Sequence, residues 1–358
     1  MSSKITENPV IAAVDLFCGA GGLTKGLEIA GIQSKLGVDL DPHCEYPFTA
    51  NNKAKFLLKS VSKIRAEELK EQFEGADFSL LAGCAPCQPF STYSQGRDRD
   101  QRWGLLNHFK RLIIATKPDL VTMENVPGLI RQNVFSAFIA VLESEGYNTS
   151  YQIVNCADYG VPQQRKRLVL LASLLGPIEL DKPRRFKNSH RTVADVIGDL
   201  EPLAAGQESV TDPLHRAATL SPLNLQRVKV SIQGGTWRDW PHSLVADCHK
   251  KSSGKTYPGV YGRMSWGEPS PTITTQYFGF GNGRFGHPAQ DRAISLREGA
   301  ILQSFPKSYR FVAPGEKVQY KRIGRLIGNA VPVKLGEVIG RSILRHVRAY
   351  QSTAQKVA

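Results

Sequence analysis

From Ile11 to about residue 175 short apolar, β-branched runs alternate with amphipathic stretches, and this rhythm limits the possible folds more than any other feature of the chain. IAAVDLF, KLGVD, FSLLA (78–82), LVTME (120–124), YQIVN (151–155) and RLVLLAS (167–173) read as strands. GLTKGLEIAG, a polar-flanked stretch into Asn52, and segments near 63–73, 105–116 and 133–145 read as helices. Apolar strands separated by helices are the pattern of a parallel sheet covered on both faces, so the predicted class is α/β with a doubly wound, Rossmann-like sheet. After about residue 176 Pro, Gly, Ser and aromatic residues rise and helical spacing fades, which predicts a smaller, irregular second domain. Helical spacing returns at Leu296–Gln303 and Lys334–Val347, where Leu335, Val338, Ile339, Ile343 and Leu344 share a face. The expected division is therefore 1–175, 176–290, and a segment 291–358 that returns to the first domain. A chain of 358 residues is long enough for two such unequal cores.

The first strand runs into Asp15-Leu16-Phe17-Cys18-Gly19-Ala20-Gly21-Gly22 and a helix begins at once. Glycines permit both the tight turn and the close approach of a ligand to the backbone. Asp39 closes the second strand, where folds of this type place an acid on a ribose. Thr24 stands where a dinucleotide fingerprint needs a third glycine, which demotes a nicotinamide cofactor. A glycine turn that only packs helix on strand is the competing reading of this segment.

FSLLA leads into Gly83-Cys84-Ala85-Pro86-Cys87-Gln88-Pro89-Phe90-Ser91, and LVTME into Met123-Glu124-Asn125-Val126-Pro127. A thiol and a carboxyl group thus reach the carboxyl edge of the sheet, where ligands of open α/β sheets collect. Cys84 and Cys87 have zinc or redox spacing, but no second such pair and no histidine pair at ligand spacing follows, so no metal is expected. Val161-Pro162-Gln163-Gln164-Arg165-Lys166-Arg167 sets arginines just before an apolar strand. Such arginines either meet an anion or a carbonyl, or form a solvated basic turn.

Lys and Arg number 46 against 32 Asp and Glu, a net charge of +14 spread along the chain, which suits a polyanionic partner. The six cysteines lie in a chain too large to need disulfide staples, and no leader pattern opens it, so a reducing, cytoplasm-like compartment is expected. Apolar runs such as Leu168–Leu175 fall far short of the roughly 20 residues of a membrane span.

DLFCGAGGLTKGLEIAG, GCAPCQPFS, MENVPGL, VPQQRKR, SLREGAILQSFP and IGNAVP occur in this order between residues 14 and 332, and in this the chain resembles the bacterial DNA cytosine-5 methyltransferases. The resemblance implies a methyltransferase sheet with a target-recognition domain, S-adenosylmethionine as methyl donor and double-stranded DNA as substrate. It assigns Phe17, Gly19 and Gly21 to the cofactor loop and Asp39 to the ribose. Asn329 and Val331 would complete that site, and Ser60-Val61 stand where the family often carries an Asp-Ile pair against the adenine. Cys87 would be the nucleophile, with Glu124, Arg165 and Arg167 holding the base.

Carbon 5 of cytosine is a poor nucleophile until a thiolate adds at carbon 6, the role given to Cys87. Glu124 must then donate a proton or strong hydrogen bond to ring nitrogen 3, and Arg165 is the first choice for the exocyclic oxygen, with Arg167 orienting the site. A base inside a duplex is out of reach, so it must swing out, and the polar stretch Gln88–Gly104 with Ser91, Arg97, Arg99 and Arg102 reads as a loop closing over it. In 176–285 Trp237, Trp240, Tyr257, Tyr261, Trp266, Tyr277, Phe278, Phe280 and Phe285 interleave with basic residues, as in a groove-facing surface or in the second domain's core. A monomer is expected, and the same resemblance implies an enzyme of the bacterial cytoplasm acting at the nucleoid, either with a separately acting restriction endonuclease or as a solitary enzyme. An RNA cytosine methyltransferase of the same fold and a catalytically idle DNA-binding relative remain alternatives.

Overall fold

A computed structural model describes residues 8–85, 104–183, 186–187 and 189–357. The chain divides into two compact units. The first comprises 1–155, 166–183 and 331–358, and the second 156–165 and 184–330.

The first unit is built on a seven-stranded sheet. In chain order its elements are β1 (Ile11–Leu16), α1 (Gly22–Ala30), β2 (Gln33–Asp39), α2 (Glu45–Thr49), β3 (Lys55–Leu58), α3 (Ala66–Phe73), β4 (Phe78–Gly83), α4 (Gly104–Thr116), β5 (Leu120–Asn125), α5 (Asn133–Ser144), β6 (Asn148–Asn155) and β7 (Lys166–Ser173). The strand order is β3-β2-β1-β4-β5-β7-β6, so the winding reverses between β1 and β4. The carboxyl ends that flank such a reversal form a ready crevice.

Side-chain alternation makes two buried faces. Val14, Leu16, Leu36, Val38, Leu81, Val121, Met123, Leu168 and Leu170 point one way and form one core with Leu69 of α3, Phe109 and Leu112 of α4, and Phe135 and Phe138 of α5. On the other face the C-terminal helix Val333–Val357 contributes Tyr350, edge-on to Phe78, and His346, bonded to Ser173. That helix crosses α1 without side chains between the backbones: a Cβ on Gly26 would lie 2.4 Å from the Val333 carbonyl oxygen, and one on Gly340 2.6 Å from the Ala30 Cβ.

The expectation of a parallel sheet needs one correction. β7 runs antiparallel to both β5 and β6. The connection 156–165 is too short for the crossover of about a dozen residues that a parallel neighbour requires. The short edge strand β3 was not expected; it has only four residues, none fully buried, and pairs with β2 alone.

Composition drew domain boundaries at 175 and 290, whereas compactness breaks the chain at 155, 165, 183 and 330. Residues 291–330 pack within the second unit because buried groups tie them to it. Arg292 is completely buried, forks onto Glu298 at 2.7 Å through both terminal nitrogens, and also donates to the Leu203 carbonyl. Arg297 holds Asp212 and donates to the Tyr309 carbonyl. Arg263 spans the carbonyls of Ser231, Val228, His287 and Gln290. The second unit carries helices Pro222–Val230, Leu296–Leu302 and Tyr320–Asn329 and no strand of the main sheet. Among the described residues no helix is long and apolar enough to cross a membrane.

Candidate active site

The turn after β1 has the backbone of a ligand-binding loop. Phe17 (φ 59°), Gly19 (φ 54°) and Gly21 (φ 86°) all lie in the left-handed region. For Phe17 this costs on the order of 1 kcal/mol or more, a strain kept where the surroundings impose it. A Cβ on Gly19 would meet nothing within 4 Å, so the turn has open space beside it. The Gly19 amide donates to Asp39 Oδ2 at 2.9 Å and the Asp41 amide to Asp39 Oδ1 at 2.9 Å, which joins the carboxyl ends of β1 and β2. Each Asp39 oxygen keeps a further lone pair, so the carboxylate can accept ribose hydroxyls as well.

Beneath this turn lies a residue the sequence reading passed over. Asp15 is buried, accepts from Thr24 Oγ1 at 2.7 Å through Oδ2, and leaves Oδ1 without a hydrogen-bond partner. Burial raises its pKa to about 7 against the pull of Thr24, with Asp39 pushing the same way. An under-satisfied carboxyl beneath an open, strained glycine turn fits a cofactor that carries positive charge.

The remaining predicted cofactor residues are placed unevenly. Ser60 is bonded to Ser62 through their hydroxyls at 2.8 Å, and Val61 is buried in the main core while its carbonyl accepts from Arg111. Val331 is buried in the first unit; Asn329 is exposed at the last position of its helix in the second.

The switch point brings the chemical groups together. Gly83 pairs with Met123, and Cys84 continues β4 alongside Glu124. Burial pushes the Cys84 thiol well above its usual range, with the charges of Glu124 and Asp15 adding and Arg167 opposing. Cys84 is thus held as an unreactive thiol against Glu124. Asn125, also missed, donates from Nδ2 to the Ala85 carbonyl at 2.9 Å and accepts the Val126 amide, tying the end of β4 to the end of β5. The Asn directly after Glu124 in MENVP was the available signal. Cys87, Gln88, Ser91, Arg97, Arg99 and Arg102 lie outside the described residues. The fixed segment Gly83–Ala85 leads directly toward Cys87.

Glu124 is buried, and Arg167 Nε stands 2.8 Å from its Oε1 as an ion pair without an aligned hydrogen bond. β7 delivers Arg167, since Glu124 and Val169 are register partners across β5 and β7. Arg165 has other employment. Its Nη1 donates to the Ile273 carbonyl at 2.9 Å and its Nη2 to the Gly328 carbonyl at 3.1 Å, within the second unit. Gln163 and Gln303, both fully buried, extend that lattice through a 3.0 Å bond to each other and through Ile273 and Ile327. Arg167 thus stands with the carboxylate, and Arg165 ties together backbone carbonyls. In a run of basic residues nothing in the sequence says which one enters the lattice.

Residues 11–345 match the family described as C-5 cytosine-specific DNA methylase. A type II methylase of Herpetosiphon aurantiacus, M.HgiDII, is 50% identical over 337 residues, covering 93% of this chain and 95% of its own length. The type II methyltransferase M.Sau96I of Staphylococcus aureus is 30% identical over 362 residues, covering 97% and 79%. In fold the chain is similar to a putative DNA modification methyltransferase encoded within an E. coli prophage, with a TM-score of 0.66, 23% identity, and coverage of 94% and 99%. It is also similar to a DNMT2 variant of Spodoptera frugiperda, with a TM-score of 0.65, 17% identity, and coverage of 93% and 99%. With the family match spanning nearly the whole chain and a half-identical relative matched over 95% of its own length, this protein belongs to the C-5 cytosine-specific DNA methylases.

Proposed function

We propose that Cys87, Glu124 and Arg167 perform this family's reaction here, methylating carbon 5 of a cytosine swung out of a specific duplex DNA sequence. The observation that carries the assignment is the Glu124–Arg167 pair at the carboxyl end of β5, beside the fixed segment that leads into Cys87. The Cys87 thiolate adds to carbon 6, and the ring's electrons move toward nitrogen 3. Glu124 donates a hydrogen bond or proton there, and Arg167 places its N–H donors on the exocyclic oxygen as negative charge grows. Entry of the base breaks the ion pair, and Glu124, released from Arg167, takes up a proton from solvent and so can donate to nitrogen 3. After methyl transfer, carbon 5 loses its proton to a base, the carbon 6–sulfur bond breaks, and the thiolate is regenerated.

S-adenosylmethionine, when bound, supplies an electrophilic methyl group on a sulfonium. Phe17, Gly19 and Gly21 would hold it, with Asp39 on the ribose hydroxyls and the unsatisfied carboxyl of Asp15 supplying compensating negative charge. The second unit serves as the target-recognition domain, and the contacts it makes with duplex DNA offset the few kcal/mol needed to unstack the target base. The type II names of the relatives favour a restriction endonuclease that acts separately on the same sequence.

The test is trapping. A duplex whose target carries fluorine at carbon 5 has no proton to lose there, so the adduct persists. Intact-mass analysis with S-adenosylmethionine present is expected to show one protein–DNA adduct, mapped to Cys87 by proteolysis. An adduct on Cys84, or none with a duplex that the enzyme methylates in its unfluorinated form, would overturn the assignment.

A further inference from the structure

Several arginines of the second unit are built into it, whereas among the described residues Arg284 and Arg191 are exposed and take part in no hydrogen bond or salt bridge. Arg263, Arg292 and Arg297 are buried and occupied by carbonyls and carboxylates, and Arg227 donates to the Leu244 carbonyl while lying over the Trp240 and Tyr261 rings. Arg284 is exposed, and among the described residues it makes no hydrogen bond or ion pair.

Its stem is nevertheless fixed. A Cβ on Gly262 would lie 2.8 Å from Arg284 Cγ, so the absence of a side chain at 262 is what lets the arginine's methylenes lie on the backbone. Both flanks are pinned. The Gly262 amide donates to the Gly283 carbonyl, the Ile294 amide to the Phe285 carbonyl at 2.8 Å, and the Gly286 amide to the Gly262 carbonyl at 2.8 Å. Phe285 is buried. Gly281 and Gly283 sit against the rings of Tyr261 and Phe285, leaving no slack in the segment.

We propose that Arg284 reads a guanine of the recognition sequence in the major groove, its guanidinium fork on O6 and N7. This rests on the reading of the second unit as the target-recognition domain. An arginine fork bonded to two acceptors on one base edge is the commonest specific contact to DNA. It requires a planar group held in one orientation, which a stem packed on a glycine and pinned on both sides provides. A phosphate contact needs only a point charge, which a loose lysine supplies as well.

The test compares wild type, R284A and R284K on a library of duplexes with randomised positions, scoring methylated cytosines by sequencing and following with kcat/KM on single sites. R284K keeps the charge and most of the stem but loses the fork. Both variants are expected to lose roughly five- to 140-fold in kcat/KM at the preferred site and to relax selectivity at one guanine position. S-adenosylmethionine binding and melting temperature should not change. A uniform loss over all sequences that R284K restores makes Arg284 a phosphate contact and overturns the proposal, as does an unchanged preference. A wild-type chain that methylates no duplex would instead sink the functional reading, and this assignment with it.

Discussion

The two units solve the same problem, holding polar groups in fixed positions, by different physical means. In the first, an apolar sheet buried on both faces carries Asp39, Cys84 and Glu124 to one edge, and strand register sets their spacing. In the second there is little regular structure to do this, and buried arginines bond irregular backbone carbonyls into a lattice: Arg165 to 273 and 328, Arg263 to 228, 231, 287 and 290. Part of the positive charge in that region, the buried arginines Arg165, Arg227, Arg263, Arg292 and Arg297, is therefore architecture. A net charge of +14 overstates what the second unit has to offer DNA.

The sharpest way to break this contrast is to remove one arginine of the lattice. Arg292→Met strands the Glu298 carboxylate, and its expected cost is about 3–5 kcal/mol in urea unfolding. Adding Glu298→Leu should restore most of it, because a buried pair replaced by apolar groups of similar volume leaves no uncompensated charge. A single-variant cost below about 1 kcal/mol would mean that the second unit is held otherwise.

Next come the proposed roles of Arg167 and Arg165. Arg167→Ala is expected to lower kcat by about a hundred- to a thousandfold, of the order of one oxyanion donor, in protein that still binds S-adenosylmethionine, and to lower the melting temperature because Glu124 loses its ion-pair partner. Arg165→Ala is expected to show mainly lost stability, about 1–3 kcal/mol for each carbonyl left unbonded. The opposite pattern would return Arg165 to the base.

Asp15 gives a smaller, pH-dependent effect. Unfolded, its carboxyl titrates at about the model-peptide value of 3.8; folded, at about 7. Between these values the folded state holds a proton that the unfolded state has released, so this group's contribution falls as pH rises from 4 to 7 and is flat above. Asp15→Asn should remove that slope, a gain over wild type at pH 8 of a few kcal/mol at most. Parallel stability curves for the two proteins across this range would contradict the raised pKa of this buried carboxyl. The smallest effect belongs to Gly26→Ala, where helix propensity favours alanine but the crossing with the C-terminal helix does not. A net loss of about 1–3 kcal/mol is expected, and a gain would show that the helices can move apart.

What the sequence disclosed follows the same divide. Five of the seven strands were legible because a buried strand is rich in apolar residues, the exposed edge strand β6 was legible from its β-branched and aromatic residues, and Asp39 and Glu124 were legible because strand ends deliver them. The helix Tyr320–Asn329 was not predicted; it carries Gly324 and Gly328, residues of low helix propensity. They are there because the Thr274 and Thr275 backbone and the Phe278 ring come closer than a Cβ allows. The aromatics of the second unit left surface and core open; Trp237, Trp240, Tyr277, Phe280 and Phe285 are buried, whereas Tyr257 is 65% exposed. Composition carries no information about which carbonyl an arginine will meet, so neither the role of Arg165 nor the free state of Arg284 could be read from it.

The most direct measurement incubates wild type, Cys87→Ser and Cys84→Ser with methyl-labelled S-adenosylmethionine and either duplex DNA or tRNA, digests to nucleosides, and identifies the label by mass spectrometry. The expected result is 5-methyldeoxycytidine from DNA with wild type and Cys84→Ser, and none with Cys87→Ser. Label at the wild-type rate with Cys87→Ser, or label in tRNA and not in DNA, would contradict the account.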